Sequence, residues 1–65
     1  MNLQEIKLAI SQGLVVKWAN DNYTVVKDNR DQYFIMCEQN SHAIGLTWAD
    51  ETTLNGKEQD FYISN

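Results

Sequence analysis

"GLVVKWANDNYTVVKD", residues 13–28, is where the chain changes its period. Before it, Leu3, Ile6, Ala9 and Ile10 recur at helical spacing and share one face. Within it, Leu14, Val16 and Trp18 alternate with Val15, Lys17 and Ala19, and Tyr23 opens a second alternating run to Lys27. Strict alternation is the mark of a strand with one face in a core and one face out. Asn20 and Asp21 both tolerate positive φ and are expected to form a two-residue turn between the runs. That turn sets Trp18 opposite Tyr23 and Val16 opposite Val25, so the two strands share one inward face.

Working outward toward the N-terminus, residues 2–12 read as one helix. Asn2 can cap it, and Glu5 stands where a capping box places its carboxylate. Gly13 follows the last turn, where a left-handed residue commonly ends a helix. Leu8 points away from Leu3 and Ile6 and is the apolar residue this helix leaves outside.

Toward the C-terminus, Tyr33–Glu38 and Ala43–Trp48 read as third and fourth strands, each bounded by turn-forming residues. A three-residue loop at Asn29–Asp31 sets Val25 opposite Ile35. A four-residue loop at Gln39–His42 sets Ile35 opposite Leu46 and Cys37 opposite Ile44, with Gly45 beside Met36. One face then holds Val16, Trp18, Val25, Ile35, Cys37, Ile44, Leu46 and Trp48, and the helix is expected to cover it. Asn55-Gly56 is a hairpin signal, and Phe61 and Ile63 alternate as a closing strand. The expected fold is α+β: an N-terminal helix packed on a twisted antiparallel meander of four to five strands, in one domain over residues 1–65.

Composition limits the function. A chain of 65 residues buries only about 60% of its unfolded surface, so its core is thin and self-association would help it. The net charge is −4, and five Lys and Arg residues scattered along the chain argue against direct nucleic-acid binding. No apolar run spans a bilayer, and the N-terminus lacks the pattern of an export signal. The single cysteine, Cys37, fits a reducing cytoplasm.

The residues that could carry chemistry read more simply as structure. Asp50, Glu51, Glu58 and Asp60 lie in polar segments around Asn55-Gly56, where a solvated loop is expected rather than an acid–base pair. Cys37 points inward while His42 sits in a turn, so they do not make a nucleophilic pair, and one His with one Cys cannot complete a zinc site. No phosphate loop or cofactor fingerprint is present. The expectation is a protein without catalytic, cofactor or metal residues.

The other sheet face is less bland. Val15, Val26 and Phe34 line up across three strands with Met36 adjacent, on a side that should be polar. Either the sheet curls or the last hairpin covers them, or they form an interface. The expected partner is a second copy in a homodimer, or another protein, with Phe34 as anchor. A separate possibility is an acidic inhibitor that mimics nucleic-acid charge, using Asp21, Asp28, Asp31, Glu38 and the C-terminal acids.

"VKWANDNYTVVKD", "GLTWADETTLNGKEQDFYI" and the leading helix together resemble a family of small bacterial proteins carried by plasmids and prophages. The resemblance covers nearly the whole chain, and its most distinctive piece is Gly45-Leu46-Thr47-Trp48-Ala49-Asp50 followed by Leu54-Asn55-Gly56-Lys57. It implies a bacterial origin and brings no activity, cofactor or catalytic residue. Asp50-Glu51-Thr52 departs from it by lacking a glycine after Trp48, which leaves the shape of that loop open.

Overall fold

The computed structural model describes residues 1–64. Helix α1 runs Leu3–Ser11, and the five strands are β1 Val15–Trp18, β2 Asn20–Lys27, β3 Tyr33–Cys37, β4 Ala43–Gly45 and β5 Phe61–Ser64. They form one open antiparallel sheet in the order β4-β3-β2-β1-β5. The fold is therefore α+β, and the sheet does not close into a barrel.

The helix is built as its sequence dictates. Asn2 Oδ1 accepts from Glu5 N at 2.8 Å while Glu5 Oε1 accepts from Asn2 N at 2.8 Å, a reciprocal capping box. Gly13 leaves the helix at φ 81°, a conformation that favours glycine. Ile6 and Ala9 are buried, Leu3 and Ile10 pack beside them, and Leu8 stays exposed. The core joins Ile6 and Ala9 of α1 to Val16, Val25, Ile35, Leu46 and Phe61.

Parity predicts these inward residues correctly, including where a turn differs from the expected one. Val25 does face Ile35 across a loop in which Asp28 Oδ1 accepts from both Arg30 N and Gln32 N. The β1–β2 pairing keeps the expected frame at Lys17↔Thr24. The reversal itself differs: Asn20-Asp21 is not a two-residue turn. The chain turns back at Ala19, φ 64°, Trp18 pairs with Asn20, and a bulge between Lys17 and Trp18 absorbs the extra residues. Ala19 N also donates to Asp60 O, which ties the turn to the chain entering β5.

The β3–β4 register is displaced by two residues from the expected one. Ile35 faces Ile44 rather than Leu46, and Phe34 faces Gly45, because the four-residue loop is 38–41 and closes with Cys37 N donating to His42 O. Strand β4 ends at Gly45, so the expected strand to Trp48 is cut short by a bend at Leu46. Ile44 and Trp48 are consequently not core residues; they are 48% and 61% exposed. Leu46 alone of that set is fully buried.

Asn55-Gly56 is not a hairpin turn either. The reversal falls at residues 48–53, closed by Trp48 N to Thr53 O and a bridge between Thr47 and Leu54. Glu51 takes φ 60°, and Asp50 ties the tip together from its own side chain. Residues 46–60 then form a strap that carries the chain from the β4 edge to the β1 edge, so β5 is not the next strand of a meander. Asn55 pins the strap, its N donating to Leu46 O and its Nδ2 to Gly45 O. Leu54 packs on the core and Gly56 lies against the Trp18 ring, which puts the strap on the helix side of the sheet. Helix and strap together roof one face and leave the other without a layer.

Candidate functional site: the unroofed sheet face

The ladder hydrogen bonds place this face residue by residue. Val26 faces Phe34 and Phe34 faces Gly45, while Thr24 faces Met36 and Met36 faces Ala43. Continuing Lys17↔Thr24 by two residues sets Val15 beside Val26. The four residues expected there from sequence, Val15, Val26, Phe34 and Met36, are thus brought together on one side. Val15 is 45% exposed and the other three are half-buried. Gly45 ends the apolar row without a side chain.

A polar group flanks this row. Lys17 projects from β1 on the same face, and its Nζ donates to Asp21 O at 3.1 Å, Thr24 Oγ1 at 2.9 Å and Glu38 Oε2 at 2.5 Å. The Thr24 hydroxyl donates to the same Glu38 oxygen at 2.6 Å. Hydrogen bonds from Lys17 and then from Thr24, with the lysine charge behind them, hold the Glu38 carboxyl below its ordinary range. On β5, Tyr62 Oη donates to Asp21 Oδ1 at 2.7 Å, and that bond to a carboxylate raises the phenol's pKa. Parity already gives Lys17 and Thr24 to this face as its polar residues; what the structure adds is that both meet on one oxygen of Glu38. Lys17, Thr24 and Glu38 all have the outward parity of Val26 and Met36.

The other candidates come apart in space or serve the backbone. Asp50 accepts from the Thr53 hydroxyl at 2.6 Å and from the N–H groups of Thr52 and Thr53 at 3.0 Å, and these bonds, the hydroxyl's first, bring its pKa down to about 2. It is the ionised cap of its own turn. Among the described residues, no group of three or more His, Cys, Asp or Glu side chains is placed to hold a metal ion. His42 is exposed beside the Asn40 side chain that accepts from its N–H. A cavity of about 180 Å3 is lined by Lys7 of α1, Asp31 and Gln32, Tyr33 and Phe34 of β3, and Leu46, Thr47 and Glu51 of the strap. Lys7 Nζ lies 5.3 Å from the centre of the Tyr33 ring, a cation–π contact. Among the described residues no helix is long and apolar enough to cross a membrane.

No family model, curated protein or solved structure matches the chain.

Proposed function

We propose that the protein works by protein–protein contact through its unroofed sheet face, without catalysing a reaction. The supporting observation is the asymmetry of cover. α1 and the strap both lie on one side, and the apolar row of Val15, Val26, Phe34 and Met36 is left on the other. A soluble sheet face usually alternates to polar residues on its open side, and a contiguous apolar exception marks a contact surface. Phe34 is the central residue of the row and its natural anchor, since aromatic and Met side chains are enriched in interface cores. A bacterial origin on a mobile element fits the sequence resemblance and belongs to the same proposal.

The test uses extract from the source organism. The wild-type protein should elute in a complex larger than its own 7.5 kDa, and Phe34→Glu should elute at its own size with its melting curve preserved. Identical elution of the two would remove the reading.

A further inference from the structure

The polar group beside the apolar row has used up its donors. An ammonium has three hydrogens to give. Lys17 gives one each to Asp21 O, Thr24 Oγ1 and Glu38 Oε2, and its side chain is only 13% exposed. The Thr24 hydroxyl is spent on Glu38, and the Tyr62 hydroxyl on Asp21. What remains open is acceptor only. Among the described residues, neither Glu38 Oε1 nor Asp21 Oδ2 receives a hydrogen bond, and the Glu38 side chain is 48% exposed. Lys17 is the one cation among the strand residues of this face, and it is not available to a partner. An apolar row is therefore bordered by carboxylate oxygens that can only receive.

Given the contact surface proposed above, we infer that its partner is a basic protein surface: an apolar strip flanked by arginine or lysine side chains that donate to Glu38 and Asp21. A second copy of this chain is the weaker occupant. It brings the same carboxylates, the same spent donors and a net charge of −4 to meet another of −4. The face is also small. Five strands of about five residues project roughly 400 Å2. A small face of this kind depends on charge complementarity for encounter and register.

The experiment is an amide-shift titration of the labelled full chain with a short blocked peptide alternating arginine and leucine. Two control peptides replace arginine by glutamate, or leucine by serine. The arginine–leucine peptide should shift Thr24, Val26, Phe34, Met36 and Glu38 together and saturably, and added salt should weaken it. Both controls should bind at least about tenfold more weakly, since each lacks one half of the complement. Glu38→Gln and Asp21→Asn should each lower affinity about two- to fivefold, the worth of one exposed ion pair. The inference is overturned if the shifts fall elsewhere, if either control binds as tightly, or if the same residues shift on concentrating the protein alone, which would make a second copy the occupant. A complex lost with Phe34→Glu in extract, together with no response to the peptide, would keep the contact surface and reject the basic partner.

Discussion

The two tryptophans have the same parity and opposite environments. Trp18 is half-buried, edge-on to Tyr23 at 5.2 Å and beside Phe61 at 6.4 Å, whereas the Trp48 ring is 61% exposed beyond the bend at Leu46. Trp18→Ala is expected to cost about 3–5 kcal/mol, the range for a packed aromatic, and Trp48→Ala within about 0.5 kcal/mol, the range for a surface site. Urea unfolding of the pair checks this; equal losses would show that Trp48 is packed. Gly56 depends on the same ring. Its φ is 155°, and a Cβ there would stand 2.6 Å from Trp18 Nε1. Gly56→Ala should therefore lose about 1–3 kcal/mol through overpacking and backbone strain together. Gly13→Ala at φ 81° meets nothing within 4 Å, so it carries the backbone cost alone and should lose less. Asp50 makes a prediction about acid. Its folded-state pKa, about 2, lies below the ordinary 3.8, so its ionised turn stabilises the protein above that ordinary value and the contribution is lost as pH falls through about 2. A carboxyl-carbon NMR titration should find that midpoint, and Thr53→Val, which removes the hydroxyl that does most to lower it, should move it upward. An unmoved midpoint would mean the hydroxyl does not hold the carboxylate.

At the scale of elements, what was legible in the sequence depended on whether the signal was periodic or a matter of turn chemistry. The capping box, Gly13 and the spacing of Ile6 and Ala9 specify α1 almost to the residue, because each is a local rule with one reading. Strand existence was equally plain from alternation. Strand ends and registers were not, since a loop shifted by one residue at each end moves the partner by two and still preserves parity. Parity thus sets Ile35 opposite Leu46 where it faces Ile44, and the two-residue slip leaves each residue of β3 on its expected face. Asn55-Gly56 misled for a different reason. It carries the composition of a tight turn, but Gly56 is needed for its close approach to Trp18, and the reversal is made by Asp50 and a positive-φ Glu51. No local pattern announces a strap that crosses a sheet. Its role is testable: Asn55→Ala removes the side-chain bond to Gly45 O and should cost about 1 kcal/mol. The loss should come with faster amide exchange in Leu46 and Thr47. Exchange unchanged at those amides would show that Asn55 does not pin the strap.

For the whole molecule, the decisive feature is that both covering layers lie on one side. A sheet this small could have used its strap to close the second face; instead the strap reinforces the roof that α1 already provides. The candidate face was legible because parity survives register errors, so Val15, Val26, Phe34 and Met36 fell together despite the misplaced loop. The same parity places Lys17, Thr24 and Glu38 there, but the hydrogen bonds that join them depend on side-chain reach, which parity does not encode. The account stands on Phe34 meeting another protein. A photo-crosslinking phenylalanine analogue at position 34, expressed in the source organism, measures that directly, with the same analogue at the exposed position 48 as the comparison. A discrete protein adduct from position 34 that is absent from position 48 is the predicted result. Adducts from position 48 with none from position 34 would contradict it.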